Sequence, residues 1–206
     1  MPKKIVKKIK KQKPKTKKKT KIPVKLIKYL EKAGVKHEIL EHKTVYTAID
    51  VAMTMKKKMQ EIAKSLLIKA DKDYYIVLLP ADNNLNFDKL KKTISKETKK
   101  EIKTIKIPGE KIMENALKIK AGSLTAFGKM HKAKVIVDKK MEKIKKAIFA
   151  SGSSNHSIEM AVKDFIKLEN AILGNFGIKK KIKLKKLKKT TKNKSTSKNK
   201  KITKKK

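Results

Sequence analysis

The 206-residue chain contains no cysteine, no tryptophan and no arginine. The first absence excludes disulfides, thiolate metal ligands and a cysteine nucleophile together. The third makes all 60 basic side chains lysine, a choice that suits phosphate binding but equally suits a genome biased toward A and T. No apolar run approaches the ~18 residues that read as a membrane span. The basic N-terminus is not followed by a hydrophobic signal core either. The expected location is cytoplasmic, with no membrane partner.

What the chain does have is charge, unevenly placed. Of a net +42, residues 1–22 contribute 12 lysines and residues 177–206 contribute 16, neither stretch carrying an acid, so the middle retains +14. Segments so charged and so poor in aromatics cannot bury enough surface to offset chain entropy, and both are expected to be disordered in isolation. A dense polycation attracts phosphate through counterion release, which makes nucleic acid the expected partner. An anionic membrane is the weaker alternative, because the tails have few bulky apolar residues to insert. The expected organisation is therefore a lysine-rich tail over 1–22, one domain over 23–176 and a second lysine-rich tail over 177–206.

Periodicity within the middle alternates between the helical and the extended. Val24, Leu26, Ile27, Leu30 and Ala33 predict a helix ending at Gly34, and residues 37–42 alternate as a strand. Apolar residues then recur every three or four places from Ala48 to Ala63, behind Thr47 and Asp50 in a capping-box arrangement, with a break allowed near Lys57. Residues 65–70 and 74–79 predict a hairpin around Asp71, Lys72 and Asp73. Asn86 is a cap for a short helix through Leu90, residues 103–107 suit a strand, and 110–117 suit a helix. Strands over 134–137, 147–150 and 157–160 and helices over 139–146 and 163–171 complete the pattern. Hairpins mixed with helices favour α+β over a doubly wound parallel sheet.

Three stretches stand out for chemistry. The first runs from Glu41-His42 through Val45-Tyr46-Thr47-Ala48 to Ile62-Ala63-Lys64-Ser65-Leu66-Leu67. The second is the small-residue stretch Ala121-Gly122-Ser123-Leu124-Thr125-Ala126-Phe127-Gly128, and the third runs from Ser151-Gly152-Ser153-Ser154-Asn155-His156 to Met160. In letters, order and spacing these resemble the YbaK/ProX family of aminoacyl-tRNA deacylases, over roughly residues 24–172. The resemblance implies a single α+β domain, a mixed and mostly antiparallel sheet or barrel surrounded by helices. It also implies an enzyme without cofactor that hydrolyses the ester of mischarged tRNA in trans, with tRNA as partner and an aminoacyl-tRNA synthetase as a further one.

By the same resemblance Lys64 contacts the aminoacyl end, and the Gly122 and Ser123 amides polarise the ester carbonyl. His42, Thr44, Tyr46 and Ser65 line one wall, and Ser151, Gly152, Asn155 and His156 form the rim. Taken without it, most lysines snorkel to solvent, Gly122 is an ordinary turn glycine and His156 a surface histidine. Thr44 and Tyr46 alternate with Val45 and equally suit strand packing. Asp138 reads best as a cap for the residues that follow. His37 and His131 lack partners at ligand spacing, so no metal site is expected. The 122–128 stretch lacks the Gly-Lys-Ser/Thr ending of a phosphate-binding loop, and 151–153 lacks the Gly-x-Ser-x-Gly elbow of a serine hydrolase. Two departures stand against the family pattern: Ala126 where many relatives carry proline, and Ser157 where the cysteinyl-tRNA branch commonly has an acid. They leave room for a rival, a non-catalytic RNA-binding protein that keeps the fold, and for a nucleoid protein as a third reading.

Overall fold

Leu26 and Leu30, one helical turn apart, are fully buried on one side of α1 (Val24–Lys32), and Gly34 at φ +62° follows its end. The computed structural model describes residues 22–119 and 122–180. After α1 come β1 (His37–Glu41), α2 (Ala48–Thr54), β2 (Ile62–Ala70), β3 (Asp73–Pro80), β4 (Asn83–Leu85), α3 (Phe87–Thr98), β5 (Ile105–Lys106) and α4 (Glu110–Leu117). The second half adds β6 (Lys134–Asp138), β7 (Lys146–Ala150), β8 (His156–Ala161), α5 (Val162–Glu169), β9 (Ile172–Gly174) and β10 (Gly177–Lys179). Eight strands form one sheet in the order β1-β8-β7-β2-β3-β6-β9, with β5 also on β2, while β4 and β10 make a separate ribbon. The pairs β1–β8, β7–β8, β2–β3, β2–β5 and β4–β10 are antiparallel, and β2–β7, β3–β6 and β6–β9 parallel. The fold is thus α+β with a mixed, mainly antiparallel sheet, as the sequence predicts.

Two-residue alternation along β2 and β3 divides the core between two faces. On one, Ala63, Leu67, Ile76 and Leu78 join Leu26 and Leu30 of α1 and Phe165 of α5, whose ring stacks on Phe149 at 4.2 Å. On the other, Ile68, Tyr75, Val77 and Leu79 join Leu90 and Ile94 of α3 and Phe176. Ile62 and Ile148 lie beside them with Ala52 of α2. Helices on both faces leave the sheet edges and the loops between strands to build any site.

Several elements differ from expectation. The helical run expected to reach Ala63 stops at Thr54, Lys56 follows at φ +52°, Met59–Glu61 forms a 3-10 turn, and Ile62 opens β2. Met59 and Ile62 kept the helical spacing because both pack on the same cluster as α2. The residues after Asp138 make a 3-10 turn, Lys139–Lys143, rather than a helix reaching 146, and only Met141 of it is buried. α3 runs well past Leu90, since Ile94 one turn on is equally buried and lysine is a good helix former.

The three short strands β4, β9 and β10 had no sequence signal. The fully buried Asp138 carboxylate organises that end: besides capping Lys140 it accepts the Phe176 and Gly177 amides at 2.9 and 2.5 Å. The folded body accordingly extends through β10 to Lys180, whose amide donates to the Asp82 carbonyl. That stretch was assigned to the C-terminal tail; the rest of both tails lies outside the described residues. Among the described residues, no helix is long and apolar enough to cross a membrane.

Candidate active site

β2 and β7 run parallel for only two registered pairs, Ile62–Ile148 and Ala63–Phe149, before they part. Beyond Ala63, β2 gains no partner on that side until Lys69 meets β5. The gap opens a cavity of about 370 Å³, within the usual range for small-ligand pockets. Its floor includes Ile62, Ile148 and Ala150, α2 and the segment before it contribute Val51, Ala48 and Tyr46, and Gly122, Leu124 and Gly152 close the opposite side.

Six predicted residues line this cavity: His42, Tyr46, Lys64, Ser65, Gly122 and Gly152. Tyr46 stands at the mouth, 80% exposed. The Ser65 hydroxyl is buried and finds no hydrogen-bond partner among the described residues. Thr44, Ser123, Ser151, Asn155 and His156 are not among the lining residues. Thr44 is exposed. Ser123, Ser151 and Asn155 lie in the two loops beside lining residues and His156 opens β8; Ser151 Oγ donates to the His156 carbonyl and Ser153 Oγ donates to Asn155 Oδ1, the latter 3.0 Å from His156 Nδ1. That rim loop is sewn to the chain after β1, because the His42 and Val45 amides donate to the Asn155 and Ser154 carbonyls.

Lys64 is the third residue of β2. Its ammonium donates to the Asn83 carbonyl of the β4–β10 ribbon. Burial pushes its pKa down, Lys180 adds to that, and Asp82 opposes it. The residues after 176 therefore help set the electrostatics of Lys64.

The two glycine loops are locked to each other through Thr125. It bridges Ser151, the neighbouring Ala126 amide donates to the Ala150 carbonyl, and Thr125 Oγ1 exchanges hydrogen bonds with Phe127. The Thr125 amide donates to His131 Nε2 at 3.2 Å, so the ring is neutral with its hydrogen on Nδ1. Sequence reasoning weighed His131 only as a metal ligand, since its contact with Thr125 depends on the 3-10 turn at Gly128–His131. Burial lowers its pKa below the ordinary 6.5. An unfolded chain takes up that proton first, so this histidine's contribution to stability is present above about pH 6.5 and is lost as pH falls toward the folded value. Thermal melts of wild type against His131→Gln, whose amide oxygen can still accept, should diverge less at pH 8 than at pH 5.5, with the wild type losing more on acidification. Parallel curves would remove His131 from this role.

Among the described residues no group of three or more histidines or acids could hold a metal ion. Residues 42–168 match the model of the aminoacyl-tRNA editing domain family. Among solved structures, a hypothetical protein superposes with a TM-score of 0.66 at 17% identity, covering 75% of this chain and 99% of that one. A candidate trans-editing enzyme for prolyl tRNA synthetase gives 0.60 at 17%, covering 75% and 96%. A candidate signal transduction protein from Marinobacter aquaeolei gives 0.57 at 14% and covers 77% of this chain but 31% of its own. No curated protein matches in sequence.

Proposed function

The chain belongs to the aminoacyl-tRNA editing domain family, and from that premise we propose that it is a trans-acting deacylase, hydrolysing the ester between a wrongly attached amino acid and the 3′ end of tRNA. The observation that carries this reading is the cavity at the parting of β2 and β7, where Lys64, Gly122 and Gly152 meet from three separate parts of the chain. A volume of about 370 Å³ suits an aminoacyl group with part of its terminal nucleoside and is too small for folded RNA, which must lie outside. In this role Lys64 positions the acceptor end and the Gly122 loop presents backbone amides to the developing oxyanion. The test is release of labelled amino acid from a panel of mischarged tRNAs. Release from at least one member supports the reading, and tRNA binding without release from any member overturns it.

That second outcome would favour an RNA-binding protein that keeps the fold without the chemistry. Its support is the engagement of the Lys64 ammonium by the Asn83 carbonyl, which the substrate would have to displace or share.

The lysine-rich tails fit either reading as non-specific grips on the phosphate backbone. A chain trimmed to residues 22–180 keeps β10 and Lys180, so it tests the tails without disturbing Lys64. It should bind tRNA at least ~10-fold more weakly than the full chain at 50 mM salt and converge with it as salt rises, because each phosphate contact contributes to the salt slope. Equal affinities at low salt would exclude the tails from tRNA binding.

A further inference from the structure

His42 and Ser157 sit on neighbouring strands at one end of the cavity, and both line it. His42 follows β1 directly, and Ser157 is paired in register with Leu40 of β1 on one side and Ala150 of β7 on the other. His42 Nδ1 lies 2.8 Å from the Lys43 carbonyl, and a carbonyl oxygen only accepts, so Nδ1 carries the ring hydrogen. Nε2 is then an unprotonated acceptor, and the Ser157 hydroxyl, 2.9 Å away, donates to it. Two contacts fix the tautomer and aim of the imidazole, with its basic nitrogen held against the Ser157 hydroxyl at the cavity wall. That is the arrangement of a base that can act through the hydroxyl it accepts from.

The sheet register places this pair relative to Lys64. Ser157 stands opposite Ala150, and Ala150 and Lys64 each follow the last registered pair of β7 and β2, so the three side chains fall in one row on one face. The row runs from Lys64, across the gap where β2 and β7 part, to Ala150 and Ser157.

We propose that His42 is the catalytic base of this pocket and that Ser157 positions it and links it to water. The proposal rests on the deacylase reading, with the ester lying across the row and its acceptor end at Lys64. A water bound against Ser157 Oγ attacks the ester carbonyl. The water's oxygen forms the new bond to carbon while its proton passes to Ser157 Oγ, whose own proton moves to Nε2. The tetrahedral intermediate collapses by breaking the bond to the ribose oxygen, which takes a proton back from Nε2 by the same route. Free amino acid and a terminal hydroxyl result, with His42 restored. No other group is consumed.

The experiment compares full-length wild type, His42→Gly and Ser157→Ala on whichever mischarged tRNA the panel identifies, with and without added imidazole. His42→Gly should lower kcat by ~10²- to 10⁴-fold with KM little changed, and imidazole should restore part of the loss. Ser157→Ala should lower kcat by less and gain nothing from imidazole, since its base is still present. Wild-type kcat in His42→Gly overturns the proposal, as does a loss confined to KM or one that imidazole leaves unmoved in a variant that melts like the wild type. Absence of release by the wild type from every member of the panel overturns the deacylase reading and this proposal with it. Release that survives in His42→Gly overturns this proposal alone.

Discussion

Lys64→Ala is expected to reduce deacylation by ~10²- to 10³-fold, the scale on which loss of one preorganised electrostatic contact acts, while leaving the protein folded. The two halves of that expectation have one cause. Burial and the nearby Lys180 both push the Lys64 pKa down, which means that the folded state carries the ammonium at a cost, partly offset by the Asn83 carbonyl and Asp82. Removing the charge relieves that cost, so the melting temperature should stay level or rise. The sign also sets a pH dependence. A lysine whose folded pKa is lowered gives up its proton earlier on the way up, so activity that needs the ammonium should fall below the ordinary lysine value of 10.5. Stability should improve over the same window, because the folded state sheds the proton before the unfolded chain does. Lys64→Met keeps the stem without the charge and should match alanine in activity. An active Lys64→Met enzyme would show that the stem alone suffices and would remove the ammonium from the proposed chemistry.

The parts of the fold legible in the sequence were those where one local signal had one structural use. The capped start of α2 at Thr47 and the hairpin β2–β3 follow directly from side-chain period and turn chemistry. The end of α2 was not legible, because Met59 and Ile62 serve a helix-like spacing across a break in the helix. β4, β9 and β10 are three residues each, too short to show a period, and exist because Asp138 gathers the amides of Phe176 and Gly177. In the pocket, the motif stretches located Lys64, Gly122 and Gly152, all of which line it. They could not locate the His131 contact, which a 3-10 turn makes six residues from Thr125, or the His42–Ser157 contact, which joins segments 115 residues apart. Nor could they show that Asn155 and His156 bond within their own loop, because a loop's letters do not say which of its side chains meet.

Gly152→Ala should damage the site more than any other single methyl group. Gly152 has φ +87°, where side chains are strained, and an added Cβ would lie 2.7 Å from Thr125 Cγ2 and 3.1 Å from the Ser123 carbonyl. Backbone strain of this kind costs about 1 to 3 kcal/mol, and the collision must move Thr125, the residue through which the two glycine loops and His131 are joined. Displacing it shifts both walls of the cavity at once, so deacylation should fall by ~10²-fold or more, since misplacement on the ångström scale is enough for that. The two contributions separate in a double variant. Thr125→Ser keeps the hydroxyl that bonds Phe127 but removes Cγ2, the atom that the new Cβ meets. In the Gly152→Ala background it should recover part of the activity and leave the backbone strain in the melting temperature. Full activity in Gly152→Ala alone would mean that the rim loop can move without consequence. Failure of Thr125→Ser to restore any activity would place the damage in the backbone of Gly152 itself.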